Sequence, residues 1–330
     1  MLRMHRLIRI SATCVLSLSA TSPLQASASS IEEYSDYINL ERAEPDYHAA
    51  VQTVDSEDAG KESLPQLPKE KIEEPFSGTL AYNAFSQYNS YGLVIQPQGI
   101  SSQPFLNLRY RVFKSEDKDA RLNSATLFLT TWSDFSSNQN LSNPSSSYRN
   151  FTETDIIIGT SLVLYQKINA TFQLVSYVSP AGAYGFGSWA RGTLVYDDSK
   201  PSSDFSLKPQ VSLVYTFPAA SSISLQPSAF LVEPGISPNW NILLANKYQA
   251  NLSFPVRLGL GNKFYNGSTF GFTSIGPQLS VRLPQLSGKT FSTNLNAGYL
   301  YYYIGPTAAE FAANGKRSQN VFNLGISVNF

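Results

Sequence analysis

The chain closes on SQNVFNLGISVNF, residues 318–330, and this stretch decides the fold. Reading back from the end, Phe330, Val328, Ile326, Leu324 and Phe322 alternate with Asn329, Ser327, Gly325 and Asn323. Successive side chains of a β-strand point to opposite faces, so these residues predict a strand with one oily and one polar face. An oily face must be covered by a protein core or by lipid, and the rest of the sequence says which.

The same alternation recurs upstream. In residues 247–263, Tyr248, Ala250, Leu252, Phe254, Val256, Leu258 and Leu260 interleave with Gln249, Asn251, Ser253, Pro255, Arg257, Gly259 and Gly261. Comparable segments lie at 104–112, 156–164, 211–217, 223–231, 275–283 and 291–303, with weaker ones at 80–88, 125–132, 171–177 and 190–196. No segment from Phe76 onward has useful helical periodicity or an apolar run of membrane-helix length. The pattern predicts an all-β chain of about twelve antiparallel strands, with ten or fourteen admitted, at a spacing that suits tilted bilayer-crossing strands.

Three features turn the oily faces to lipid rather than to each other. The interleaved positions are small or amide residues with few acids (Asn294, Asn296, Gly298; Ser274, Gly276, Gln278, Ser280), which suits a wet lumen. Aromatics gather at strand ends, as at Tyr299, Tyr301, Tyr303 and Trp132, where a membrane–water girdle places them. Connections alternate between long (136–149, 305–317) and short (166–169, 283–289). Composition agrees: charged residues are 15% of the chain, below the share usual for soluble domains, while aromatics reach 13%.

The N-terminal portion is different in kind. Arg3, Arg6 and Arg9 precede a mostly apolar stretch and an Ala26-Ser27-Ala28 site, which predicts a signal peptide over residues 1–28. Cys14 is the sole cysteine and lies inside it, so the mature chain is expected to be free of disulfides. Residues 29–75 carry 13 acidic and four basic side chains. They read as a mostly disordered acidic periplasmic tether, with a short helix opening at Ser30 and Glu33, and a plug or partner-binding segment is the sharper alternative. Residues 76–330 form the barrel, with 17 Lys and Arg against 11 Asp and Glu, so the tether is −9 and the barrel +6.

The terminal strand resembles the assembly signal of Gram-negative outer-membrane barrel proteins, with Phe330, Val328 and Ile326 carrying the likeness. The segment from Gly78-Thr-Leu-Ala-Tyr-Asn through Tyr91-Gly92-Leu93, Gln103-Pro104 and Leu106-Asn-Leu-Arg-Tyr-Arg111 resembles porin-type barrels of that membrane. The resemblance implies outer-membrane localisation, with outer-membrane lipid, the barrel assembly machinery and small solutes as partners.

Enzymatic readings lack their chemistry. Barrel hydrolases and proteases use a histidine base, and the two histidines here are His5, in the signal peptide, and His48, in the tether. No cofactor, metal or nucleic-acid partner is expected. The glycines of 182–187 and of Gly259-Leu-Gly261 are followed by no helix that could hold a phosphate, and Asp197, Asp198 and Asp204 read as a turn rather than a calcium loop. Alternation instead turns Arg109, Arg111, Arg191, Arg257 and Arg282 inward as pore-lining candidates, while Asp134 and Asp155 are potential partners for them. The expected function is passive diffusion of small solutes, anions favoured. The alternative is a non-conducting structural or surface-interaction barrel.

Overall fold

The computed structural model describes residues 75–117, 119–138, 148–182, 185–199, 205–217, 228–244, 248–312 and 315–330. The predicted signal peptide, the acidic segment through residue 74, Asp204 and residues 223–227 of one expected strand lie outside the described residues. In chain order the strands are β1 (Phe76–Phe85), β2 (Tyr88–Ser90), β3 (Leu93–Gln96), β4 (Ser101–Lys114), β5 (Leu122–Ser136) and β6 (Phe151–Leu164). Then follow β7 (Ile168–Val178), β8 (Gly187–Tyr196), β9 (Phe205–Ser206), β10 (Gln210–Thr216), β11 (Phe230–Ile236) and β12 (Asn239–Leu244). The last are β13 (Tyr248–Ser253), β14 (Val256–Tyr265), β15 (Ser268–Ile275), β16 (Gln278–Arg282), β17 (Ser292–Ile304) and β18 (Ser318–Asn329); a helix, α1 (Pro306–Ala312), precedes β18.

These strands form a closed antiparallel barrel of twelve wall strands. The ring runs β1–β4–β5–β6–β7–β8–β10–β11–β14–β15–β17–β18 and returns to β1. Closure leaves no free edge along that ring, which is how a sheet avoids presenting unpaired amides. At the seam Phe330 N–H donates to Gly78 O (3.0 Å) and Gly78 N–H to Phe330 O (2.7 Å). The Phe330 ring lies over Gly78, where no side chain blocks it, and 6.4 Å from the Phe76 ring. The terminal phenylalanine therefore covers the join between first and last strands.

Four neighbouring wall strands are interrupted, and each interruption holds a proline. The pairs β9/β10, β11/β12, β13/β14 and β15/β16 are single staves broken at Pro209, Pro238, Pro255 and Pro277. Proline has no N–H to give to a ladder, so the regular pairing stops there. Flanking amides carry the wall across: Ser237 N–H donates to Leu207 O (2.9 Å), Phe254 N–H to Pro238 O (2.8 Å) and Tyr299 N–H to Pro277 O (2.9 Å).

The prolines also account for one difference from the sequence reading. A strand was expected over 223–231; the eighth wall strand instead spans β11 and β12, beginning at Phe230. Its outward positions are Phe230, Val232, Pro234, Ile236, Pro238 and Trp240, an alternation masked by prolines that ordinarily argue against a strand interior.

Outward positions make a continuous apolar surface. Phe322 and Leu324 are each 58% exposed, Ile156 58%, Leu80 54% and Tyr82 51%, while the interleaved Ser327, Asp155, Thr79 and Asn83 are buried. An exposed apolar belt around a closed barrel is the surface that lipid, not water, covers. Both ends of the described chain, Pro75 and Phe330, lie at one end of the barrel, here the terminal end; the opposite end is the far end. The connection at 266–267 is the shortest at the far end: Asn266 and Gly267, at φ 49° and 96°, make the tight hairpin turn their residue types favour.

Candidate functional site: the barrel lumen

The inward positions fall into two sets along the barrel axis. In β17 the inward residues run Asn294, Asn296 and Gly298 from the terminal end, then Leu300, Tyr302 and Ile304. In β7 they run Asn169, Thr171 and Gln173, then Val175 and Tyr177. In β4, Arg111, Arg109 and Asn107 give way to Phe105. The lumen is thus polar toward the terminal end, while toward the far end large apolar side chains join buried polar ones such as Gln103, Asp134, Glu153 and Asp155.

The far half is filled. After β1 the chain turns into the barrel, and β2 and β3 form a separate hairpin whose nine residues, 88–96, are all buried. Its tip is Tyr91-Gly92, with φ 48° and 75°. Glycine is required at the second position, because a Cβ there would strike the Cβ and ring of Phe272. The Tyr91 ring meets Trp189 edge-on at 6.3 Å and Phe264 at 5.5 Å, and its carbonyl accepts the Tyr265 hydroxyl at 2.8 Å. Tyr88 lies 5.6 Å from Trp132. From the β17–β18 connection α1 brings Ala308 and Ala309, both buried, against β3 and β15. Hairpin, helix and inward wall residues make one apolar cluster across the lumen.

Several polar groups within this half are bound to one another. Ser101 Oγ donates to Asp134, with Gln103 Nε2 3.5 Å away from the same carboxylate. Arg191 Nη2 donates to Glu233 Oε2 (3.0 Å) and to Ser212 Oγ (2.9 Å), an ion pair with both side chains almost wholly enclosed. Glu153 and Asp155 are fully buried. Among the described strand residues, these four carboxylates are the only acids, and all belong to the far half or its lower boundary.

The terminal half is an amide- and hydroxyl-lined cup. Asn107 Nδ2 donates to Thr130, Asn296 Nδ2 to Ser327 Oγ (3.2 Å), Ser280 Oγ to Asn296 Oδ1 (2.8 Å) and Asn251 Nδ2 to Asn241 Oδ1 (3.0 Å). Asn83 fills the space beside Gly325, and Gln278 and Asn323 that beside Gly298. Arg109, Arg111, Arg257 and Arg282 occupy inward positions here and are partly exposed. Arg257 Cγ lies alongside Gly235 in the neighbouring strand. Among the described strand residues, the acids thus lie at the far side together with Arg191, and the other four inward arginines lie at the terminal side.

Of the five arginines singled out from sequence, four line this cup, and Arg191 is instead buried against Glu233. Asp134 is bound to Ser101 and Gln103. Trp132 corrects the girdle reading: it shares parity with Thr130 and Asp134, faces inward at 2% exposure and packs on the hairpin, whereas Tyr299, Tyr301 and Tyr303 do face outward. Asp198 accepts the amides of Leu207 and Lys208 (3.0 and 2.9 Å), a turn-closing role. Slight burial raises its pKa, but these amides and the Lys208 charge outweigh it, so the carboxyl lies below its ordinary value. Among the described residues, no group of three or more His, Cys, Asp and Glu is placed to hold a metal.

The hairpin is the feature that sequence reading missed. Its signal was an apolar residue at inward positions, as at Ile157 between Ile156 and Ile158 and at Leu300, Tyr302 and Ile304, since strands buried on both faces lose alternation. Such a face needs protein to cover it.

Fold and lumen together define a lipid-facing β-barrel with an occupied interior. No protein-family model matches the chain, and no curated protein matches its sequence. Among solved structures, the chain is similar to the beta domain of the Bordetella autotransporter BrkA, at 13% identity and TM-score 0.41, covering 78% of this chain and 98% of that one. It is also similar to the KdgM porin (8%, TM-score 0.39, 76% and 97%) and to an outer membrane channel from Pseudomonas putida F1 (8%, TM-score 0.42, 79% and 97%). These likenesses are too distant to bear on function, which follows from the barrel itself.

Proposed function

We propose that the protein is an outer-membrane barrel, inserted with both barrel termini on the periplasmic side, that rests without a through-going pore. The observation that carries this reading is the hairpin at 88–96, nine consecutive buried residues packed against inward side chains of the wall. A passive route for small solutes needs a continuous wet path, and the close-packed hairpin occupies the space such a path would take. The structural or surface-interaction role is therefore favoured over steady diffusion, with the arginine-lined cup open to the periplasm. Enzymatic chemistry has no support in the lumen: the described barrel carries no histidine.

Planar-bilayer recording tests this. The intact protein is expected to give no steady conductance, and replacing 88–96 with a short Gly-Ser linker is expected to give stepwise, long-lived openings. Steady conductance by the intact protein would overturn the reading and restore passive diffusion. The resemblance of Phe330, Val328 and Ile326 to an assembly signal is part of the same proposal. A Phe330→Asp chain is expected to insert poorly and lose its heat-modifiable migration; normal insertion would remove the assembly role.

A further inference from the structure

We propose that the arginine-lined terminal half of the lumen is the docking site of the chain's own acidic segment, residues 29–74. Four observations meet there. First, the cup presents Arg109, Arg111, Arg257 and Arg282 at inward positions toward the terminal end. An arginine-rich, water-filled cup with low-dielectric walls focuses a field that attracts carboxylates, and guanidinium groups bind them with paired donors.

Second, the segment emerges at those arginines. The Pro75 carbonyl accepts the Arg111 backbone N–H at 2.7 Å, and Ser77 stands opposite Arg109 in the β1–β4 register. Glu70, Glu73 and Glu74 precede this anchored Pro75 by only five residues or fewer of sequence. Third, the charges are complementary: 13 acids against four basic residues in 29–75 face a barrel with six excess positive charges. Lys69 and Lys71 interrupt the acids nearest the rim, so docking involves alternate side chains rather than a continuous run. Fourth, the far half is closed by the hairpin, so a segment entering from the terminal end stops in the cup. Covalent attachment supplies it at an effective concentration on the order of millimolar, enough for modest ion pairs to hold it. This inference shares with the proposed function only the hairpin closure, which conductance tests separately from the docking.

The test is limited proteolysis of the full-length folded protein in micelles with a glutamate-specific protease. Heat-modifiable migration monitors the barrel separately, and an unrelated peptide corrects for the effect of salt on the protease. Cleavage after Glu70 and Glu73 is expected to be slow at low salt and several-fold faster at high salt, where ion pairs are screened. It is also expected to be several-fold faster in the Arg257→Gln/Arg282→Gln variant at low salt. Should that variant not fold, Glu70→Gln/Glu73→Gln/Glu74→Gln serves instead, with trypsin cleavage at Lys69 and Lys71 expected to accelerate. Equal rates at both salt concentrations, or in the folded variant and the parent, would overturn the proposal.

Discussion

The two halves of the lumen share the same wall strands yet obey different physics. Toward the terminal end the inward face is Asn, Ser, Gln, Gly and Arg, partly exposed and bound in pairs such as Asn296–Ser327. Toward the far end the same strands turn Trp132, Val175, Trp189, Phe272 and Tyr302 inward and enclose them. A barrel interior is therefore not one environment. It can be a solvated vestibule over one stretch and a protein core over the next, provided something fills the second, and here the β2–β3 hairpin fills it.

If the far half is a true core, it should respond to truncation as cores do. Trp189→Ala removes a fully enclosed ring against which Tyr91 packs and is expected to cost about 3–5 kcal/mol. Thermal unfolding in micelles should fall accordingly, and transient conductance should appear. A loss as small as that from Asn296→Ala in the cup, about 0.5 kcal/mol or less, would break the comparison.

Next in size is the buried Arg191–Glu233 pair. Glu233→Gln leaves the Arg191 charge enclosed without its counter-ion and is expected to cost about 3 kcal/mol, read in the same unfolding measurement. Little dependence of that loss on salt would mark the pair as shielded from solvent; a loss that vanishes at high salt would place it in the wet half instead. The smallest effect concerns the hairpin tip. Tyr265→Phe removes the hydroxyl bonded to Tyr91 O and is expected to cost about 1 kcal/mol, with faster amide exchange confined to residues near 91. Unchanged exchange there would mean the tip is held by ring packing alone.

Strand periodicity made much of the wall legible. The alternation around Arg109 and Arg111 placed them inward on the second wall strand, and that around Arg257 and Arg282 on the ninth and tenth, as the register has them. The eighth strand was not legible, because Pro234 and Pro238 stand at lipid-facing positions and look like breakers. Trp132 was misread because an aromatic near a strand end suits either a girdle or a core, and only its parity with Asp134 separates the two.

The sequence by itself determined the local quantities: which residues share a face of each strand, that one face is oily, and that the charge of residues 29–75 opposes that of the barrel. Those follow from a two-residue repeat and from counting, and need no knowledge of neighbours. Tertiary structure alone decided that residues 88–96 fold inward, that Arg191 meets Glu233 across 42 positions of sequence, and that Phe330 lies over Gly78 at the seam. These contacts exist only once the sheet has curled and closed. Closure sets which inward faces oppose one another, and no strand carries that information within its own length.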